Sequence, residues 1–330
     1  MIKNSPFQKG LRYSFVRALL ALIVIFIIGL LFNGDGAFFK WHTHRDMLRQ
    51  SSVYGILACG MTLVIITAGI DLSVGSILGL IAVLFALLNI HKSWSPWLSI
   101  PACIAAGASL GLVSGWLIAQ FRIQPFIATL AMMVFARGLA KFVSGGEKIA
   151  TAIKQANGTY IYKEDPPIFG LIDSRILDGN LAVVTVIFLI CIIVSWVLLS
   201  RLRIGRYLYA VGGNEEAARL SGVPVAMTKI IAYALCGLFA AVAGICQAAQ
   251  EYQGDPEAGT AYELSAIAIV VIGGTNLMGG RGGIILTLIG TLTIGYLEKI
   301  LSINAVGEAS RLMLTGVIIV AAVLLQRRKR

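Results

Sequence analysis

Ten predominantly apolar stretches run along this chain as candidate transmembrane helices, since about 20 such residues cross a ~30 Å hydrocarbon core. Their limits fall near 18–33, 53–70, 74–90, 98–120, 126–143, 181–199, 228–249, 262–274, 283–301 and 311–325. The eighth is the shortest and ends in glycine. Of 330 residues, 58% are hydrophobic and 13% are charged, against about 25% charged in an ordinary soluble domain. That balance excludes soluble enzymes, disordered chains and secreted disulfide scaffolds. The five cysteines all lie in apolar runs without a CxxC pair, and read as small hydrophobic residues.

The net charge of +11 calls for no nucleic acid, because no soluble basic module exists to bind one. Its distribution is topogenic instead. Lys3, Lys9, Arg12 and Arg17 precede the first span, which has no cleavage site after it and reads as a retained signal-anchor. With the N-terminus in the cytoplasm and ten spans alternating, both termini are cytoplasmic. The cytoplasmic segments then carry 15 basic and three acidic residues, including the tail Arg327–Arg330. The external segments carry nine basic and twelve acidic residues. The chain is therefore expected to be one transmembrane domain over 1–330, with an external loop at 144–180 and a cytoplasmic loop at 200–229.

Two glycine-rich breaks echo one another. Gly69-Ile70-Asp71-Leu72-Ser73-Val74-Gly75-Ser76 resembles Gly274-Thr275-Asn276-Leu277-Met278-Gly279-Gly280-Arg281 at an offset of 205 residues. An apolar run flanks each copy, which suggests internal duplication of a helix–break–helix unit. Paired breaks of this kind point to a transport site, because their freed backbone groups must face protein or water rather than lipid. Gly69, Asp71, Ser73, Gly75, Gly274, Asn276 and Gly280 are the candidate pathway residues. Asp71 and Asn276 also suit helix N-caps, and the two roles are compatible. The topology puts both breaks toward the cytoplasm, which favours structure or gating over first contact with substrate.

The cytoplasmic loop carries Glu216-Ala217-Ala218, three residues, then Gly222. Glu and Ala favour helix, Asn214 can cap its start, Gly222 can end it in a left-handed conformation, and Pro224 blocks continuation. Glu215 and Arg219 can face charges on a partner. This motif resembles the E-A-A-x-x-x-G loop of ATP-binding-cassette importer permeases. Around it stand Gly205-Arg206-Tyr207, Gly212-Gly213-Asn214 and Leu220-Ser221-Gly222. Elsewhere stand Gly60-Met61-Thr62-Leu63-Val64-Ile65, Phe126-Ile127-Ala128-Thr129-Leu130, Tyr262-Glu263-Leu264 and Gly273-Gly274-Thr275. Together they resemble the permeases for ribose, xylose, arabinose and galactose over about residues 50–325. Asn276 stands where many members have Ser.

The resemblance implies an all-α permease fold similar to the cobalamin importer (type II), with about ten helices. It implies a bacterial inner-membrane subunit that moves a pentose or hexose inward. It implies a dimer with a second copy or a paralogue, two ATP-binding subunits that use ATP and Mg, and a periplasmic sugar-binding protein. The coupling set carried over is Asn214, Glu215, Glu216, Ala217, Ala218, Arg219 and Gly222. The chain itself is expected to bind no cofactor or metal and to have no catalytic residue. It has no G-x-x-x-x-G-K-[ST] phosphate loop.

The rival reading is an ion-coupled secondary transporter, which needs ionisable groups at mid-membrane. An intramembrane enzyme would need a converging nucleophile and base, which are missing. His42 and His44 fall in an expected external loop without a third ligand, and His91 is isolated. The acidic segment 250–263, with Glu251, Asp255, Glu257 and Glu263, either docks a basic partner or reflects exclusion of Lys and Arg by topology. Arg137, inside the fifth span, either snorkels, lines the pathway or pairs in the interior.

Overall fold

The computed structural model describes residues 6–154, 159–307 and, within 308–317, all but 308, 312 and 315. The tenth expected span lies largely outside these residues, although its described members are helical. Lys3 and the tail Arg327–Arg330 lie wholly outside. The chain is an all-α polytopic protein. Among the described residues eight helices are long and apolar enough to cross a bilayer. They are α1 (Pro6–Leu31), α2 (Trp41–Ile66), α3 (Val74–Ala86, continued by a π-helical turn Leu87–His91), α4 (Pro96–Phe121), α5 (Pro125–Ser144), α7 (Val183–Ser200), α10 (Val225–Glu251) and α12 (Ile284–Ile303). Shorter helices are α6 (Pro167–Asp173), α8 (Arg203–Gly213), α9 (Glu215–Leu220) and α11 (Tyr262–Ile272).

Most limits follow the apolar runs. Helix α2 begins twelve residues earlier than its run, because Trp41–Ser52 is helical although polar. His42 and His44 therefore sit in a helix and not in a loop, and His44 Nδ1 lies 3.3 Å from the Tyr296 hydroxyl. The segment after α5 is more ordered than a polar loop. It holds an antiparallel pair, β1 (Ala152–Lys154) with β2 (Tyr160–Tyr162), then α6, then a pair β3 (Arg175–Ile176) with β4 (Leu181–Ala182). Phe169 of α6 stacks on Phe85 of α3, centroids 5.2 Å apart.

The chain divides into two compact units. One comprises Met1–Ala68, Phe188–Val223 and Ser265–Arg330, and the other Gly69–Ile187 and Pro224–Leu264. In the first, α12 packs on α1 and α2. Thr62 and Thr287 share a hydrogen bond of 2.6 Å between these helices, and both are buried. In the second, α10 packs along α4 and α3, and α3 also packs on α5. The α4–α10 crossing is carried by Gly107, Gly111 and Gly115, one per turn on α4. They meet Ala241, Tyr233 and Ile230 of α10, and Gly237 of α10 answers them. Small residues spaced by four let two backbones approach closely, which is how helices associate when lipid supplies no hydrophobic drive.

Candidate functional site: a two-ended helix cap and two helix breaks

In the first unit, α8 and α9 form an elbow after α7. Helix α8 buries Gly205, Leu208, Val211 and Gly212 and leaves Arg203 and Arg206 in solvent. This is the stripe of an amphipathic helix. Asn214 ends α8 and starts α9: its Oδ1 accepts the Ala217 N–H at 2.9 Å. At the other end Gly222 is left-handed, φ +80°. There the Val223 N–H donates to the Ala218 carbonyl and the Gly222 N–H to the Arg219 carbonyl, both at 3.0 Å. These two bonds make a Schellman cap. Only two turns long, α9 is held at both ends by the residues that the sequence nominates. Ala218 is its one buried residue. Glu215, Glu216 and Ala217 are exposed, and so is Leu220, at 81%. Arg219 turns back to pair with Glu216 on the same helix.

The elbow rests on the second break. The Gly280 N–H donates to the Ile66 carbonyl at the end of α2, 2.9 Å. Gly212 of α8 lies against that same pair, so closely that a Cβ there would overlap the Ile66 carbonyl and stand 2.7 Å from the Gly280 nitrogen. Gly279 meets Ala68 and the Gly212 carbonyl. The Tyr209 hydroxyl donates to the Gly282 carbonyl at 3.0 Å. Burial pushes the Tyr209 pKa up to about 12, so this donor keeps its proton. Three backbones thus cross at one point. The permease-like motif marked Gly212 and the internal echo marked Gly280, but nothing local in the sequence marked Tyr209 as their brace.

Both breaks make the same turn, and neither polar residue caps a helix as expected. Asp71 Oδ1 accepts the Ser73 N–H at 2.9 Å and the Ser73 hydroxyl at 2.6 Å. Asn276 Oδ1 accepts the Met278 N–H at 3.2 Å. Each side chain thereby closes an Asx turn onto the residue two ahead. Helix α3 starts at Val74 with Ser73 as its cap position, and α12 starts at Ile284 after Gly283. The copies diverge after the turn: Gly75 is helical, whereas its counterpart Gly280 is left-handed. The second break needs a longer loop, which the Asn276 N–H closes by donating to the Arg281 carbonyl.

In the second unit the first break is interior. Asp71 and Ser73 are fully buried. The Ile70 carbonyl accepts from the Thr129 hydroxyl of α5 at 3.3 Å and from the Tyr233 hydroxyl of α10 at 3.5 Å. These donors answer a carbonyl that lipid could not.

Residues 252–261, expected as an outer loop, instead turn back along α3. Gly254 packs on Ala82, Val83 and Ala86; Ala258 packs on Gly79; Gly259 and the Glu263 carboxylate pack on Gly75. From Ala86 to Gly75 is three turns of helix, about 16 Å, and Gly75 is the second residue of α3, so the segment runs back along most of that span. Arg137 of α5 donates from one nitrogen to the Pro256 carbonyl, and to the Ala258 carbonyl at 2.8 Å. Lys141 pairs with Glu257 at 2.6 Å and Lys148 with Asp255 at 2.9 Å. Of the four acids in this segment, Asp255 and Glu257 are therefore paired within the unit, and Arg137 holds the re-entrant backbone.

The family described as "Branched-chain amino acid transport system / permease component" matches residues 45–323. The ribose import permease protein of Escherichia coli (strain K12) is 40% identical over 317 residues, covering 95% of this chain and 94% of that protein. The fructose import permease protein of Bifidobacterium longum (strain NCC 2705) is 32% identical, covering 97% and 90%. The xylose transport system permease protein of Escherichia coli (strain K12) is 30% identical, covering 93% and 90%. No solved structure matches. With a family match over most of its length and full-length likeness to import permeases, the chain belongs to the family of branched-chain amino acid transport system permease components.

Proposed function

We propose that this chain is the permease subunit of an ATP-binding-cassette importer that carries a pentose or hexose into the bacterial cytoplasm. A separate ATPase subunit uses ATP and Mg, and this chain binds neither. Three relatives named as ribose, fructose and xylose permeases support a monosaccharide over the amino acid of the family description. A periplasmic sugar-binding protein would deliver the sugar. A second copy or a paralogue would complete the path. Both termini would lie in the cytoplasm of this multi-pass inner-membrane subunit.

The observation that carries the coupling part is the geometry of α9. A two-turn helix closed by Asn214 and by the left-handed Gly222 presents Glu215, Glu216, Ala217 and Leu220 outward. A helix so short is not stable alone, and caps at both ends give it the rigidity a docking element needs. An ATPase groove receiving α9 would push through α8 on the crossing of Ile66, Gly212 and Gly280. The push then reaches the ends of α2 and of the second break together.

The test is co-purification with the ATPase. Glu216→Lys reverses the charge of the exposed face, and Gly222→Pro cannot adopt φ +80°. Both are expected to lose the ATPase while inserting normally. Normal co-purification of both would remove α9 from the coupling role.

A further inference from the structure

Helix α7 ends in a surface of two characters. Ile190, Ile193, Val194 and Val197 fall at helical spacing on one face of it, and all four are exposed. Trp196, in the last turn, is exposed beside them. An apolar stripe of this kind on a membrane-spanning helix suits hydrocarbon, and a tryptophan at its end suits the membrane interface. The Arg201 guanidinium folds back over the Trp196 ring, 5.7 Å from its centroid. This cation–π contact holds a positive charge at the end of the stripe. Arg203 and Arg206 follow, one turn apart and exposed at the start of α8, and Leu202 is exposed between Arg201 and Arg203.

Nothing in this stretch of chain answers that charge. The sequence has no acidic residue from 179 to 214. Among the described residues none of the three arginines pairs with an acid. Arg219, farther along the same elbow, does pair, with Glu216. The occupant of the surface must therefore bring anionic oxygen and hydrocarbon together. A second copy packed symmetrically on this face would set the arginines against their own images. An acidic water-soluble protein could meet the arginines but would leave the α7 stripe uncovered. A zwitterionic phospholipid would add a cation beside three that have no counter-charge. An anionic phospholipid supplies both halves: its phosphate oxygens match the guanidinium fork, and its chains can lie along Ile190 to Val197, about 10 Å of helix.

We infer that the α7–α8 junction binds an anionic phospholipid. Arg201, Arg203 and Arg206 hold its headgroup phosphate, and Trp196, Leu202 and the α7 stripe hold its chains. The inference needs only that α7 spans the membrane, and it is independent of the sugar carried. Because α8 runs from this site to the crossing at Gly212, a bound lipid anchors the membrane end of the elbow.

The test uses the full chain reconstituted in phosphatidylcholine vesicles that contain either brominated phosphatidylglycerol or brominated phosphatidylcholine. Bromine quenches nearby tryptophan, and the Trp196 signal is the part of the emission that Trp196→Phe removes. Brominated phosphatidylglycerol is expected to quench Trp196 at about fivefold lower mole fraction than brominated phosphatidylcholine, the size of headgroup attraction to an arginine near the membrane surface. Arg203→Gln combined with Arg206→Gln, both at exposed positions, is expected to bring the two lipids level without changing the melting temperature. Excess inorganic phosphate, which has no chains, is expected to leave the preference intact. Equal quenching of the parent by the two lipids, or a preference that survives the double substitution, would overturn the lipid site. Trp196 quenched by neither lipid would show that protein covers α7, and would overturn it as well. A preference abolished by inorganic phosphate would reduce the site to one for free phosphate. Loss of the ATPase in the double variant with the lipid preference unchanged would give the arginines to the protein partner instead.

Discussion

A carboxylate buried in a membrane protein invites an ionic explanation, and Asp71 has a simpler one. Its acceptor oxygen closes a turn on Ser73, and the second break closes the same turn with an amide, Asn276 on Met278. The turn needs an oxygen two residues before the donor, and it needs no charge. Asp71→Asn is therefore expected to keep sugar uptake within about twofold of the parent, because the acceptor survives. Asp71→Ala leaves the buried Ser73 groups without it, at about 1–3 kcal/mol, read as a lower melting temperature in detergent. Loss of uptake in Asp71→Asn would instead revive an ion-coupled mechanism. Gly212 makes a second residue-scale case. Gly212→Ala places a methyl group onto the Ile66 carbonyl, whereas Gly213, one residue on, has open space around it. Gly212→Ala is expected to retain the ATPase but hydrolyse ATP with little uptake, and Gly213→Ala is expected to behave as the parent. Equal uptake in the two would detach the crossing from coupling.

At the scale of elements, α9 shows what local sequence can specify. Its cap, its terminal glycine and its following proline are all within ten residues of each other, so E-A-A-x-x-x-G read alone predicts a helix of the right place and length. Asn214→Ala removes one cap bond at about 1 kcal/mol. Gly222→Ala forces a side chain into the left-handed region at about 1–2 kcal/mol. Each is expected to weaken ATPase retention in a salt wash without abolishing it, and the double substitution should approach the loss seen with Gly222→Pro. The re-entrant segment shows the opposite case. Gln253-Gly254-Asp255-Pro256-Glu257 has the composition of a surface loop, and its polar groups are satisfied by Arg137, Lys141 and Lys148, which lie more than a hundred residues away in the chain. Hydropathy cannot see such pairing. The only local trace was the spacing of Gly75 and Gly79, which looks like any small-residue helix face. The same limit explains the caps that were expected at Asp71 and Asn276. Residue type announced a turn-former, but where α3 and α12 begin is decided by packing.

For the molecule as a whole, one preparation tests both the energy source and the orientation. Basic residues flank the elbow of α8 and α9, at Arg201, Arg203, Arg206 and Arg219, against two acids, whereas the segment between α5 and α7 carries four basic and five acidic residues. Positive charge is retained on the cytoplasmic side, so α9 should face the cytoplasm and the β1–β2 hairpin the outside. Leu220→Cys and Tyr162→Cys, both at well exposed positions, should then react with an impermeant thiol reagent from opposite sides: Tyr162→Cys in intact cells, Leu220→Cys only in inverted vesicles. On the proposed coupling role of α9, the same orientation dictates where fuel must be supplied. Sugar delivered by its binding protein on the outer side should enter only with ATP on the α9 side. Collapsing proton and sodium gradients should leave the rate unchanged, since Arg137 and Glu263 are tied to backbone and helix terminus and Asp71 is tied to its turn on Ser73. Uptake that persists without ATP and stops when a gradient is collapsed would show that the breaks themselves, and not the elbow, drive transport.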